Sequence, residues 1–220
     1  MSDDLDDLIR RVDPDRWLSS RFVGDAALRA DVIAIYAYDH ELARAPKVAS
    51  NALLGEIRLT WWREMLDEAY EGRHVRHHPT AQALADVIRR HSLPRAPLEA
   101  MIDSRYRELD ATPLTSKEAL EWARDTGGRA AELAAMILAP GADAGPARAA
   151  GTAWALARRA AETPSLAKVS GEALTAAARA VRELSAAAFP AAAHAVLAGK
   201  RRSLFRDRLR MILAVARGRI

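Results

Sequence analysis

Asp39 is the residue whose position asks most of its chemistry. Leu28, Val32, Ile35 and Tyr36 recur at helical spacing, and Asp39 follows Ile35 by four and Tyr36 by three, so it continues their apolar face. A carboxylate pointing inward must be ion-paired, hydrogen-bonded or protonated. Two readings stay open: a buried structural ion pair, with Arg58 of the next helical stretch as partner, or a ligand or substrate carboxylate in a central cavity. The remaining charge clusters read more simply. Glu56, Arg58, Arg63, Glu64, Asp67 and Glu68 have the spacing of surface pairs on one helix, and Asp103, Arg105, Arg107, Glu108 and Asp110 that of a solvated face or salt-bridge ladder. His74, His77 and His78 could offer imidazoles to a transition metal, but they lack the fixed spacing and distant ligand of a zinc site. The chain has no cysteine, which excludes disulfides, thiolate metal sites and a catalytic thiol. It has no Walker-type lysine, no G-x-S-x-G elbow, and neither helix-turn-helix nor aromatic platform, so nucleic acid is not an expected partner.

The elements that must carry these residues read as helices throughout. Asp13-Pro14 is a helix start, with Asp as N-cap and Pro in the first turn. Gly24-Asp25 breaks the chain, and a long helix is expected from Ala26 to Arg44, ended by Pro46. The next is expected from Ser50 to Tyr70, with Leu53, Ile57, Trp61 and Met65 facing the core and Leu54 and Trp62 widening the stripe. Since neighbouring helical positions differ by about 100°, one of Trp61 and Trp62 must turn partly away. Helices follow from Thr80 to Arg90 and after Pro94. Thr115 and Glu118 form a capping-box candidate. Gly127-Gly128 is expected to kink its helix or pack it closely. Alanine-rich helices, interrupted at Pro190 and Gly199, complete a single all-α domain over residues 1–220.

Bulk properties narrow the class further. No run approaches the roughly 20 apolar residues that cross a bilayer, and the acidic start (Asp3, Asp4, Asp6, Asp7) argues against a secretory leader. A cytoplasmic protein is the expectation. The net charge of +4 is concentrated toward the other end, where Lys200, Arg201, Arg202, Arg206, Arg208, Arg210, Arg217 and Arg219 face only Asp207. With Leu204, Phe205, Leu209, Ile212 and Leu213 interleaved, residues 200–219 suit either an ordinary closing helix or a peripheral contact with an anionic membrane face, Lys200, Arg201, Arg202 and Arg206 leading.

Ordered phrases between Asp13 and about residue 160 add a family resemblance. They are Asp13-Pro14-Asp15-Arg16, Ala34-Ile35-Tyr36-Ala37-Tyr38-Asp39-His40-Glu41-Leu42-Ala43-Arg44, Gly55-Glu56-Ile57-Arg58-Leu59-Thr60-Trp61-Trp62-Arg63-Glu64, His78-Pro79, Leu93-Pro94-Arg95, Ser104-Arg105-Tyr106-Arg107-Glu108-Leu109-Asp110 and Gly151-Thr152-Ala153-Trp154. In this order they resemble the squalene/phytoene synthase family, and its short bacterial members in particular, which are similar to mitochondrial factors that assist assembly of respiratory complex I. The resemblance implies an isoprenoid-synthase helical bundle with a central cavity. Active members condense prenyl diphosphates on Mg²⁺ held by Asp pairs at i and i+4 on facing helices. This sequence departs from that pattern. Asp39 stands at the first motif, but Ala43 occupies the place of its second Asp, and Glu41 points elsewhere on the helix. No Asp occurs in Gly151–Glu162, where Arg158 and Arg159 stand instead, and the chain looks shortened after Thr163.

The resemblance with its departures implies a degenerate, non-catalytic member. Such a protein would bind a prenyl or other lipid ligand, or a partner protein, with a role in respiratory-complex assembly. No cofactor is expected on that reading, and Tyr36, Trp62 and Trp154 are the expected cavity or partner-surface residues. The alternative is an active Mg²⁺-dependent prenyl transferase with Asp39, Glu41, Arg44 and Arg58 at its site, Asp39 being the one residue suited to metal. A purely structural helical scaffold is the third class.

Overall fold

The computed structural model describes residues 2–48, 51–198 and 204–220, so Lys200, Arg201 and Arg202 lie outside the described residues. Among those described, regular structure is entirely helical, as expected. The helices are α1 (Ser2–Val12), α2 (Pro14–Ser20), α3 (Ala26–Val48), α4 (Ala52–Tyr70), α5 (Pro79–His91), α6 (Arg95–Tyr106), α7 (Ser116–Ala123), α8 (Arg129–Leu138), α9 (Gly145–Glu162), α10 (Ala167–Ala180) and α11 (Leu204–Arg217).

α1 is a helix that the acidic sequence conceals. Leu5 and Ile9, one turn apart, enter the core, while Asp6 turns sideways to pair with Arg21 and accept from Trp17 Nε1. α3 is the axis of the bundle: every residue from Asp31 to Asp39 is buried, whichever way it points. Its neighbours are α1, α2, α4, α5, α6 and α8. Pro46 does not end it. The proline sits in the last described turn, where only Lys47 and Val48 follow, so little of the hydrogen-bond ladder is lost.

The expected core stripe of α4 holds only in its second half. Trp62 and Met65 are buried as expected, but Gly55 and Leu59 take the inward positions before them, Leu66 follows, and a Cβ at Gly55 would collide with the Leu109 side chain. Positions two apart on a helix point about 200° apart, so this row turns Ile57 outward. Leu53 and Ile57 are 62 % and 54 % exposed, and Leu54 is exposed beside them. The charges of α4 pair across elements, not along the helix as expected. Arg63 reaches Asp103, Asp67 reaches Arg95, and Glu64 and Glu68 both hold Arg76.

Thr115 and Glu118 form the full capping box at the start of α7. α7 then widens into a single π turn, Arg124–Gly128, before continuing as α8. Both outcomes expected for the glycine pair occur here. The turn bulges, and α9 lies directly against it. A Cβ added at Gly127 would stand 2.8 Å from the Gly151 carbonyl oxygen, and one added at Gly151 would stand 2.6 Å from Cβ of Ala131 and nearer still to the Gly127 carbonyl. Small residues thus let two backbones touch. Gly151→Ala should lower stability by about 1–3 kcal/mol through overpacking. Gly171→Ala, on the exposed side of α10 with nothing near its Cβ, should raise stability by roughly 0.5–1 kcal/mol. Urea midpoints of the two variants test this, and equal shifts would refute the close crossing.

Candidate functional site

The site begins with the cap of α2. Asp13 accepts the backbone N–H of Arg16 and also its guanidinium Nε. Arg16 is thereby turned across the bundle, and its Nη2 donates to Oδ2 of Asp39 at 2.8 Å. The other oxygen of Asp39 accepts from Nη2 of Arg105 on α6 at 2.7 Å. Arg105 also donates Nη1 to Glu108 at 2.6 Å, and Trp122 Nε1 donates to the same oxygen at 2.7 Å. The result is an alternating chain, Asp13–Arg16–Asp39–Arg105–Glu108, with every side chain less than one tenth exposed. Burial by itself would raise the Asp39 pKa, but Arg16 and Arg105 outweigh it and hold the carboxyl at about 2, fully ionised at neutral pH.

Aromatic rings surround Arg16. Its guanidinium lies over Tyr36 at 4.9 Å and over Trp154 at 4.8 Å. Trp154 donates Nε1 to Asp15 at 3.3 Å, and Arg158 approaches the same carboxylate at 3.6 Å. Behind them His194 is fully buried against Tyr36 and Trp154. Among the described residues neither of its ring nitrogens finds a hydrogen-bond partner, and neither does the Tyr36 hydroxyl.

A cavity of about 280 Å³ opens above this chain. Arg16, Asp39 and Arg105 form part of its lining. Ala43 and Lys47 come from the next turns of α3, Trp122 and Gly127 from the far wall, and Trp154, Arg158 and Arg159 from α9. Asp39, Ala43 and Lys47 are spaced by four, so one helical face presents carboxylate, methyl and ammonium in turn.

The structure divides the residues singled out from the sequence. Asp39 and Trp154 meet in the cavity. Glu41, Arg44, Arg58 and Trp62 do not. They line a separate groove of about 260 Å³ with Ile57, Trp61 and His78. Glu41 lies about 200° round the helix from Asp39 and is held by Arg44 at 3.0 Å. Arg58 is exposed and is not the partner of Asp39. Trp62 is the buried member of the tryptophan pair, and Trp61 turns partly outward. Tyr36 is sealed beneath Arg16 and borders no opening of this cavity. His78 turns to Trp61 and Trp62, away from the His74–His77 pair, and among the described residues no cluster of His and carboxylate is arranged to hold a metal.

Two residues that sequence reading leaves between a solvated face and a salt-bridge ladder carry the site. The ladder is what forms, Arg105 with Glu108 and Arg107 with Asp110, but Arg105 is buried and ties the ladder to the charge chain. The signal was present: Arg105 follows Met101 by four and Ile102 by three, on the inward face of α6. Arg16 follows its cap Asp13 by three, but nothing local says that its other end reaches α3.

A helical bundle wound round a buried central helix, with a polar cavity between that helix and α9, has the isoprenoid-synthase architecture. A solved dehydrosqualene synthase superposes with a TM-score of 0.78 at 15% sequence identity, over 98% of this chain and 95% of that one. The overlap therefore extends past Thr163, where the sequence reading expects a shortened end. The profile of the squalene/phytoene synthase family matches residues 9–165, and the chain belongs to that family. Among curated relatives, the bovine (Bos taurus) NADH dehydrogenase (ubiquinone) complex I, assembly factor 6 is 30% identical over 115 residues, 52% of this chain and 34% of that protein. The human (Homo sapiens) protein of the same name is 29% identical over 104 residues, 47% of this chain and 31% of that one. The match thus spans about a third of each relative's length.

The Mg²⁺ that the family resemblance implies does not fit these residues. Magnesium needs oxygen ligands with free lone pairs in near-octahedral array. Both Asp39 oxygens already face guanidinium groups, Ala43 offers none, and Arg158 and Arg159 bring positive charge to the facing helix.

Burial, with the nearby charges of Arg16 and Arg158, lowers the His194 pKa to about 3, so the folded protein keeps this ring neutral. The unfolded chain protonates it near 6.5. Below about pH 6.5 the unfolded state therefore binds a proton that the native state refuses. Stability due to this ring is complete above that value and falls by about 1.4 kcal/mol per pH unit down to about pH 3. Urea titrations between pH 7 and 5 should show this slope, and His194→Phe should remove it. His40, also lowered by burial, remains in both proteins, so the difference between them isolates His194. Parallel pH profiles would disprove the neutral buried ring.

Proposed function

We propose that this chain is a non-catalytic member of the squalene/phytoene synthase family that works by binding in its cavity and at its surface. The observation that carries the reading is Asp39 held by Arg16 and Arg105 through both of its oxygens. Metal-dependent prenyl transfer needs carboxylates that can bridge magnesium to a leaving diphosphate. In this cavity the carboxylate that stands at the first motif is committed to two arginines, and cations occupy the opposite wall. The curated relatives are named as assembly factors of complex I, and that likeness supports a role in assembling a respiratory complex by holding a lipid or a partner protein.

The test is turnover. Purified protein incubated with farnesyl diphosphate and Mg²⁺ should release no diphosphate and form no condensed lipid. Mg²⁺-dependent release that Asp39→Asn abolishes in a folded variant would sink the reading. Asp39→Ala should instead act on the fold, costing about 3–5 kcal/mol because two buried guanidinium groups lose their shared partner.

One surface supports a peripheral membrane contact as part of this function. No helix among the described residues is long and apolar enough to cross a bilayer. α11 buries Met211 and Ala214 against the bundle yet leaves Leu209, Ile212 and Leu213 exposed, with Arg206 and Arg208 on the outer side. An outward apolar row beside arginines suits an anionic lipid interface. The protein should co-sediment with vesicles containing anionic phospholipid and less with neutral ones, and Ile212→Asp with Leu213→Asp should release it. Equal recovery of wild type and variant would count against this surface.

A further inference from the structure

Among the described residues, the exposed large apolar side chains fall on two helices, α4 and α11. α11 carries arginines beside its row. The row on α4 is bordered differently. The first half of this helix stands clear of the bundle: between positions 51 and 60 only Gly55 and Leu59 are buried. Leu53, Leu54 and Ile57 form the outer row, and Trp61, partly exposed, continues it one turn on. A groove of about 260 Å³ runs beside Ile57 and Trp61, and no residue of α4 lines the cavity between α3 and α9. Glu41 and Arg44 at the groove's edge neutralise each other. That leaves Glu56 and Arg58, both exposed, and neither has an ion-pair partner among the described residues. They stand about 100° to either side of Ile57, one of each sign.

We propose that α4 pairs with α4 of a second copy of this chain, the two helices running parallel about a two-fold axis, with Leu53 and Ile57 packed across the axis and Glu56 of each copy beside Arg58 of the other. A contiguous apolar patch on a protein surface marks a contact site, and the charges at its rim decide the occupant. An anionic membrane calls for an excess of positive charge, as at α11, whereas the unpaired charges beside the α4 row balance. A surface with one acid and one base unpaired is complementary to itself, which is what an isologous contact requires. The same two charges set the orientation. A two-fold axis along the helices turns the Glu56 flank of one copy toward the Arg58 flank of the other. An axis across them brings like flanks together, Glu56 toward Glu56. The groove lies on the Arg58 flank, so the Glu56 side of the second copy has a recess to enter. Trp61 in its wall is the kind of large aromatic anchor on which interfaces depend.

Sedimentation velocity of the full chain over a dilution series tests this. A dimer should dominate at high concentration and dissociate on dilution. Glu56→Arg or Arg58→Glu sets like charges together twice, once on each side of the axis, and should weaken the dimer by about tenfold or more. The double exchange, Glu56→Arg with Arg58→Glu, should restore it. Both positions are exposed, so thermal melting should stay as in wild type. Because the chain has no cysteine, single-cysteine variants report the orientation. Leu53→Cys and Ile57→Cys should each form a disulfide with their own copy, since a parallel pair brings every seam position near itself and an antiparallel pair at most one. A protein that stays monomeric at every concentration, a double exchange that dimerises no better than the single variants, or self-linking at only one of the two positions would each overturn the proposal. So would release from anionic vesicles by Ile57→Asp while the wild type stays monomeric in solution, which assigns the row to lipid.

Discussion

One carboxylate shared by two arginines holds the architecture and its chemistry together. Asp39 sits at the end of the stretch of α3 that is buried on every side, with little of its surface open to solvent. Arg16 comes to it from α2 and Arg105 from α6, so three helices are tied at one point. Two further acids, Asp13 and Glu108, cap the ends of the chain. Buried charges are weak sources of net stability, because desolvation offsets most of their attraction, yet removing one member is expensive. Such a chain therefore specifies which helices meet more than it strengthens their meeting. It also commits Asp39, since a carboxylate that accepts from two guanidinium groups has little left for a metal.

Close packing of small residues does the complementary work. The contact between α9 and the π turn after α7 exists because Gly127 and Gly151 have no side chains to hold the backbones apart. That contact draws Trp154, Arg158 and Arg159 toward α3 and narrows the space over the charge chain. The cavity that remains is small, about 280 Å³, and is walled by arginine and tryptophan. The alanine-rich composition thus bears on function as well as on fold: it is what allows the helices to approach closely enough to shape the cavity.

The apolar surface of the bundle is unevenly covered. α11 presents one apolar row inward and another outward, and α4 leaves Leu53, Leu54 and Ile57 in the open. Both follow from helices whose buried face is narrower than their apolar content. The arginines on the outer side of α11 give its exposed row an amphipathic character.

Much of the helical order was legible from local signals. Asp13 with Pro14, the Thr115–Glu118 box and the Gly127-Gly128 pair act within a few residues, and all appear where the sequence placed them. So did the family, because its phrases are stretches of sequence, and so did the departures at Ala43, Arg158 and Arg159. The sequence could also say that Asp39 points inward and must be satisfied. It could not say by what. Helical periodicity reports which face of a helix is apolar, but not which neighbour that face meets or how far the helix is rotated. For that reason the Leu53–Ile57 row of α4 was read as core when Gly55 and Leu59 hold that position. Arg58 was the near choice in sequence, whereas Arg16 and Arg105 are the near groups in space. The sequence by itself determined an all-helical member of its family without a complete aspartate motif. Only the tertiary structure decided that the surviving aspartate is bound by two arginines beneath a cationic cavity, because ion pairing depends on distances between helices, and no pattern along a single helix records them.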